Sequence, residues 1–214
     1  MPARSRVTAV GVVAKHQQAA VAPHLADIES WLAARGVTAV FETGTAALMA
    51  ASPARRVADK RTLAGEVGMV LVLGGDGTLL GMADCIGAAG LDIPILGVNF
   101  GSLGFLTEVT LPELYPSLEA ALAGGAPIEE RLMLRAATVR GGRGVGEHIA
   151  LNDVVVTKAG TARMIDLSIW VDRSPQERAN TAACLQKPLK TKSESARQAA
   201  KAAMRTKAME YLAR

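Results

Sequence analysis

Residues 67–80 read VGMVLVLGGDGTLL, and this stretch decides the fold. Its first half, Val67 to Leu73, is an almost unbroken apolar run, which is typical of a strand covered on both faces in a parallel sheet. The glycine-rich segment GGDGT then leads directly into Leu79 to Ala89, which can form a helix. A strand, a tight loop and a helix in this order predict one unit of an open α/β sheet, with the loop at the carboxyl end of the strand.

The flanking sequence repeats this alternation of strands and helices. Strands are predicted at Val7–Ala14, Val37–Phe41 and Pro94–Val98, and helices at Gln18–Arg35, Thr45–Ala50 and Leu111–Ala123, with Gly36 and Pro112 at positions typical of a helix end and a helix start. The basic residues between the second strand and Val67 predict a solvated loop: Arg55, Arg56, Lys60 and Arg61. The predicted fold is therefore an open, mostly parallel sheet with helices on both faces.

The character of the sequence changes after Gly124 and Gly125. Apolar residues alternate from Leu132, the residues 141–144 suit a hairpin turn, and strand patterns follow at Ile149–Thr157 and Met164–Val171. We therefore expect three parts: an α/β domain at 1–126, the start of an incomplete antiparallel β-rich domain at 127–172, and a basic Ala/Lys-rich tail at 173–214.

Charge is distributed unevenly along the chain. The net charge is +4, but the segment from Lys187 to Arg214 alone carries eight basic and two acidic residues, so the remainder is slightly acidic. The body of the protein therefore gives no reason to expect nucleic acid as a partner. Cys85 and Cys184 stand alone and no stretch approaches the roughly 20 apolar residues of a membrane span, so we expect a cytoplasmic protein with reduced thiols and no membrane contact.

The GGDGT loop carries the strongest chemical signal. Gly74, Gly75, Gly77 and Thr78 lie where bare backbone and a helix N-terminus can receive phosphates. Asp76 is a carboxylate in this anion-binding setting, which suits either holding a metal ion or accepting the proton of a sugar hydroxyl. The competing interpretation is an ordinary Asp-Gly turn. The three histidines lack metal-ligand spacing, so no protein metal site is predicted.

Three segments together resemble one known family. GGDGT is similar to the motif shared by NAD kinases, diacylglycerol kinases and phosphofructokinases, and by itself it does not choose among them. The segment GVNFGSLGFLTEV at 97–109 and the segment LNDVV at 151–155 resemble NAD kinases in the same order. The resemblance runs from about residue 5 to about residue 172.

The resemblance implies a role for each matching residue. Asp76 would accept the proton of the adenosine ribose 2′-hydroxyl, and Gly77 would let the substrate approach. Phe105 would lie against the adenine, although a core position is the ordinary alternative for a phenylalanine. Asn152 and Asp153 would hold sugar hydroxyls, with a plain turn as the alternative, and Arg163 would lie near the dinucleotide or simply on the surface.

The activity implied by the resemblance is transfer of the ATP γ-phosphoryl group to NAD, giving NADP, with Mg²⁺ or another divalent cation on the triphosphate. Polyphosphate is an alternative donor, and a homo-oligomer is expected from the family. Two other functions remain open: a lipid or sugar kinase of the same superfamily, and a non-catalytic nucleotide-binding fragment.

The resemblance stops after Val171. Family members continue with a Thr-Gly-Ser-Thr-Ala-Tyr segment that lines the site, whereas the sequence here turns into the basic tail. The expectation is that the family sequence is truncated or replaced after about residue 172, and that this chain has little or no NAD kinase activity.

Overall fold

Six strands form one sheet in which every pairing is parallel. The computed structural model describes residues 7–15, 19–100, 104–151, 154, 155 and 169. Within them the strands are β1 (Ala9–Ala14), β2 (Thr38–Glu42), β3 (Arg56–Ala58), β4 (Met69–Leu73), β5 (Ile95–Asn99) and β6 (Val109–Thr110). The helices are α1 (Ala22–Ala33), α2 (Thr43–Ala46), α3 (Leu63–Glu66), α4 (Asp76–Ala88) and α5 (Leu114–Leu122), and 3₁₀ turns at Ala19–Val21 and Leu111–Glu113 precede α1 and α5.

The strands lie in the order β3-β2-β1-β4-β5-β6, so the order reverses between β1 and β4. In an open α/β sheet, the connections on either side of such a reversal leave to opposite faces, and a crevice opens at the carboxyl ends of the two strands. The GGDGT loop follows β4 and therefore lies at this crevice. The predicted open parallel sheet is thus confirmed, and its topology places the loop where such folds bind ligands.

Two apolar clusters cover the two faces of the sheet. One joins β1, β4 and β5 to α1 and α5, and its fully buried side chains include Leu25, Leu71 and Leu118. The other joins the opposite sheet face to α3 and α4 through side chains such as Leu63 and Met82. All five residues of β4 are buried, as the apolar run from Val67 predicts for a strand covered on both sides. Burial of these two clusters is the main force that holds the sheet between its helices.

The segment predicted as a solvated loop is structured, so that prediction is wrong. β3 pairs in parallel with β2, and α3 follows it. Only 10% of the Arg55 side chain is exposed, because its guanidinium bonds both carboxylate oxygens of Glu29 and lies over the Phe41 ring. A partner 26 positions earlier in the chain cannot be read from local sequence.

A separate antiparallel hairpin follows the sheet. It consists of β7 (Leu134–Arg140) and β8 (Arg143–Ala150), joined by Gly141 and Gly142 with φ of 56° and 75°. Both φ values lie in the left-handed region that a tight two-residue hairpin turn requires and that glycine adopts most easily. Strand pairing therefore begins at Arg143, and β8 ends at Ala150. The prediction of a strand at Ile149–Thr157 places the start of this strand too late.

The chain divides into two units, Met1–Val154 and Val155–Arg214. Apart from Val155 and Ile169, the second unit lies outside the described residues, and this includes the rest of the predicted strand Met164–Val171 and the basic tail. The three-part division at 126 and 172 stays a prediction. Among the described residues, no helix combines the length and the apolar character that crossing a membrane requires.

Candidate active site

The carboxyl edge of the sheet brings the ends of β1, β4 and β5 together. The Lys15 amide donates to the Leu73 carbonyl at 3.1 Å, and the Gly74 amide donates to the Val98 carbonyl at 2.9 Å. These bonds continue the sheet past the end of β4 and fix the start of the GGDGT loop. Gly75 then caps α4, which begins at Asp76 rather than at Leu79 as the sequence pattern suggested.

Asp76 bonds the segment that follows β5 through both of its carboxylate oxygens. Oδ2 accepts the Phe105 amide at 2.8 Å, and Oδ1 accepts the Leu106 and Thr107 amides at 3.0 and 3.1 Å. The Thr107 hydroxyl also donates to Oδ1, at 3.1 Å. Three successive backbone N–H groups thus form an amide nest (Phe105 to Thr107) around one carboxylate. Such concave sets of amides are typical anion-binding sites.

The amide nest sets the charge state of Asp76. Burial by itself would raise the pKa of this carboxyl, but the amides of Phe105 and Leu106, the Thr107 hydroxyl and the Thr107 amide outweigh burial and lower the pKa below its ordinary value of 3.8. The carboxylate is therefore ionised at neutral pH. It can accept a hydrogen bond or a proton there, and its own affinity for that proton is reduced by the same donors.

Phe105 occupies the most exposed position among the large apolar side chains described. Its ring is 93% exposed, although its backbone amide is bonded to Asp76. The core position considered from sequence is therefore wrong. An exposed aromatic face beside an ionised carboxylate can receive a flat heterocycle while the carboxylate binds a neighbouring hydroxyl.

The glycines of the loop differ in what the fold requires of them. A Cβ on Gly74 would lie 2.8 Å from the Thr78 hydroxyl, so packing explains that glycine. A Cβ on Gly75 or Gly77 would meet nothing within 4 Å, and neither residue has a left-handed φ. The fold thus leaves bare backbone facing open space at the first turn of α4. That arrangement lets a phosphate approach helix N–H groups that have no intrahelical acceptor.

Three residues that contact Asp76 or α4 were not predicted as site residues. Thr107 and Gly104 shape the amide nest. Lys60 contacts α4 at Gly81, where an added Cβ would fall 2.8 Å from the Lys60 ammonium nitrogen. The signal for Thr107 was its place in the segment 97–109, two positions after Phe105. Lys60 follows β3 and so reaches the same carboxyl edge, which no local pattern indicates.

The remaining predicted site residues are Asn152, Asp153 and Arg163. All three lie outside the described residues. Within the described ranges, no group of three or more His, Cys, Asp or Glu side chains is arranged to hold a metal ion. Of the predicted set, the structure brings Asp76 and Phe105 together with the four loop residues Gly74, Gly75, Gly77 and Thr78.

The fold and this loop define an open parallel α/β domain that carries a glycine-rich loop and an ionised carboxylate at the carboxyl edge of its sheet. Comparison with known proteins is more specific, because the family described as "ATP-NAD kinase N-terminal domain" matches residues 10–126. The chain belongs to the NAD kinase family. This confirms the resemblance inferred from the three sequence segments.

Individual relatives agree with the family assignment. The chain is 47% identical over 146 residues to an NAD kinase of Geobacter sp. (strain M21), an alignment that covers 68% of this chain and 50% of that protein. It is 41% identical over 163 residues to the NAD kinase of Syntrophotalea carbinolica, covering 76% of this chain and 56% of the relative. The chain therefore spans about half the length of the curated relatives it matches.

A solved structure shares the fold. The crystal structure of yeast NADH kinase complexed with NADH aligns with a TM-score of 0.54 at 16% identity, covering 71% of this chain and 51% of that one. At this identity the likeness supports the architecture alone, and it agrees with the parallel sheet described above.

Proposed function

We propose that this chain forms the NAD-binding half of an enzyme that phosphorylates NAD to NADP with ATP. Asp76 would accept the hydrogen bond, and then the proton, of the adenosine ribose 2′-hydroxyl, whose oxygen attacks the γ-phosphoryl group. The observation that carries the proposal is the pairing of an ionised Asp76 with an exposed Phe105 ring whose amide bonds the same carboxylate.

Phe105 supports adenine binding through its exposure. Phe105 is 93% exposed to solvent, so its ring does not contribute the hydrophobic stabilisation that buried apolar side chains give the core of this chain. The ring gains this stabilisation when a flat base lies on it. Because the Phe105 backbone and the Asp76 Oδ2 are 2.8 Å apart, a base on the ring places its attached sugar near the carboxylate.

Phosphate binding is assigned to the backbone of Gly75 and Gly77 with Thr78. The bare glycines admit an oxyanion to the start of α4, where the helix dipole favours negative charge. Lys60, resting on the same helix, adds a cation on this edge of the sheet. ATP is the proposed donor, with polyphosphate as the alternative.

Among the described residues, no group of three or more His, Cys, Asp or Glu side chains is arranged to hold a divalent ion. The N–H and O–H donors around Asp76 are bonded to its carboxylate, and Mg²⁺ is commonly bound in proteins through one or two carboxylates together with substrate phosphates. If Mg²⁺ takes part, it would therefore arrive on the triphosphate and neutralise its charge there. No step assigned to Asp76 depends on it.

The remaining parts of the proposal come from the family and from composition. Asn152 and Asp153 are proposed to hold sugar hydroxyls, Arg163 to lie near the dinucleotide, and the intact enzyme to form a homo-oligomer. The division at 126 and 172 is proposed on the same ground. A cytoplasmic location is proposed because Cys85 is a free thiol, as expected in a reducing compartment.

Two alternative functions would give different results in assays of NAD binding and NADP formation. A non-catalytic nucleotide-binding fragment would bind NAD without forming NADP, and a lipid or sugar kinase of the same superfamily would bind ATP without binding NAD. The segment 97–109 and the family match at 10–126 favour NAD.

The test measures NAD binding by calorimetry on the 214-residue chain and on Phe105→Ala. Loss of base stacking is expected to weaken NAD binding by roughly tenfold, in the range measured for aromatic–base contacts. Val139→Ala is the matched control, since Val139 is also exposed, at 60%, but lies on the hairpin. Equal affinity of the parent and Phe105→Ala for NAD would contradict the adenine assignment.

A further inference from the structure

Gly104 lies against the Asp76 carboxylate with no room for a side chain. A Cβ built on Gly104 would clash with Asp76 Oδ1. It would also fall 2.6 Å from the Thr107 hydroxyl and 2.8 Å from Asp76 Cγ. The φ of Gly104 is not left-handed, so backbone strain does not explain the glycine. The glycine is explained by the space that the Asp76 carboxylate occupies.

Thr107 bonds the same carboxylate oxygen that lies against Gly104. Its side chain is fully buried, its amide and hydroxyl both donate to Oδ1, and its methyl group faces Gly97 of β5. A buried hydroxyl needs a partner, and here that partner is the charged oxygen of Asp76. Thr107 is thereby fixed to the sheet on one side and to Asp76 on the other.

The two carboxylate oxygens are held unequally. Oδ1 receives three hydrogen bonds from the described residues, from two amides and one hydroxyl, whereas Oδ2 receives one, from Phe105. A carboxylate oxygen has two lone pairs in its plane, so Oδ1 is saturated. With respect to the described residues, Oδ2 keeps acceptor capacity, and it is the oxygen bonded to the Phe105 amide.

We propose that Gly104 and Thr107 are positioning residues for Asp76: they fix Oδ1 in the amide nest so that Oδ2 is the oxygen presented to the ribose hydroxyl. The proposal rests on the proposed function for the identity of the hydroxyl. The arrangement itself belongs to the free protein. It removes rotation about the Asp76 side chain before substrate binds, which is how a reacting group is kept in a productive geometry.

The test is carried out on the 214-residue chain without substrate, so that it can succeed or fail independently of NAD binding. The carboxyl carbon of Asp76 is followed by NMR through an acid titration, and its signal is assigned by its absence from Asp76→Asn. Thr107→Val keeps the shape of the side chain and removes only the hydroxyl. It is expected to raise the pKa of Asp76 relative to the parent and to speed amide exchange at Leu106 about tenfold, as loss of a hydrogen bond to a charged group does.

Thr107→Ser restores the hydroxyl and is expected to return both readouts to the parent values. Thr110→Val is the matched control, because Thr110 also bonds a carboxylate, that of Glu113 at 2.6 Å, but at the cap preceding α5. It is expected to leave the Asp76 signal unchanged. Gly104→Ala provides a second route, because its Cβ displaces the carboxylate without removing a donor, and its Asp76 titration is expected to shift as in Thr107→Val.

The proposal is overturned if Asp76 titrates as in the parent in both Thr107→Val and Gly104→Ala, with unchanged exchange at Leu106. A lower melting temperature in Thr107→Val with an unchanged Asp76 titration would likewise overturn it, because Thr107 would then serve only to pack β5.

Discussion

Asp76 and Thr107 are joined by two hydrogen bonds, from the Thr107 amide and hydroxyl to the same carboxylate oxygen, each 3.1 Å long. The two residues are 31 positions apart, so these bonds tie the loop after β4 to the segment after β5. The connection is strongest while Asp76 is ionised, because protonation removes the charge that strengthens these bonds and turns one of the two acceptor oxygens into an O–H group.

Acid should therefore weaken the fold through Asp76. The folded pKa is lowered below the ordinary value of 3.8, so the stabilisation is present above about pH 4 and is lost as the pH falls through the folded pKa. Urea unfolding of the parent and Asp76→Asn, measured from neutral pH downward, checks this. We expect a constant difference in unfolding free energy above about pH 5 and a shrinking difference below about pH 4. A difference that does not depend on pH would contradict the prediction.

Asp76→Asn should reduce NADP formation far more than NAD binding. The asparagine amide cannot accept the ribose proton, and loss of a general base costs about 10²–10⁴-fold in kcat. The measurement needs a complete enzyme, for example residues 1–150 of this chain joined to the remaining half of the Geobacter sp. relative. Equal kcat for the two chimaeras would show that Asp76 only holds the loop.

The hydrogen bonds to Asp76 affect how the loss of kcat in Asp76→Asn is interpreted. Asparagine has one oxygen and one NH₂ group, so one of the backbone donors now facing Asp76 would face another donor. Part of the loss in kcat would therefore come from a displaced loop. Thr107→Val, which disturbs the nest but keeps a carboxylate at position 76, separates the two contributions.

The amide nest also requires glycine on the adjacent strand. A Cβ on Gly97 would fall 2.7 Å from the Leu79 side chain and 3.1 Å from the Thr107 methyl group. Gly97→Ala should therefore destabilise the protein by about 1–3 kcal/mol, as overpacking does. Gly65→Ala, in α3, is the control because nothing lies within 4 Å of its added methyl, and it should be neutral or slightly stabilising. Thermal unfolding of both variants checks the prediction, and equal stability would contradict it.

The sequence predicts those features whose cause is local. An apolar run marked β4, and Gly36, with φ of 68°, marked the end of the first helix. Pro112 marked the entry to α5, although the first turn is 3₁₀. In each of these places, a few neighbouring residues determine the backbone without help from the rest of the chain.

The features that the sequence did not predict depend on distant partners. β3 has three residues, of which Arg56 and Val57 are exposed, so no hydrophobic period identifies it, and only pairing with β2 makes it a strand. Asp76 was predicted as a free base at a strand end, and its position there is observed. Its bonds to residues 29 to 31 positions away follow from the parallel neighbours β4 and β5, not from the motif itself.

Two adjacent arginines should contribute very differently to stability. Arg55→Ala removes a nearly buried guanidinium that bonds Glu29 and the Ala50 carbonyl, and a loss of about 1–3 kcal/mol is expected because Glu29 then loses its partner. Arg56→Ala removes an exposed pair with Glu66 and should change stability by less than about 0.5 kcal/mol. Denaturant midpoints give both values, and similar losses would mean that the Arg55 contacts do not persist in solution.

The 214-residue chain by itself should show little or no NAD kinase activity. Its relatives are about twice as long as the part it matches. In the proposed site, Asp76 and Phe105 would form one side, and no described residue covers the Phe105 ring. A substrate held from one side is poorly oriented, and a misplacement of about 1 Å can reduce the rate by 10²-fold.

The prediction is checked by mixing the purified chain with NAD, ATP and Mg²⁺ and measuring NADP with a coupled dehydrogenase. The chimaera is the positive control. Turnover by the chain above about 1 s⁻¹, the low end of ordinary enzymes, would contradict the prediction and would mean that residues beyond 155 complete the site.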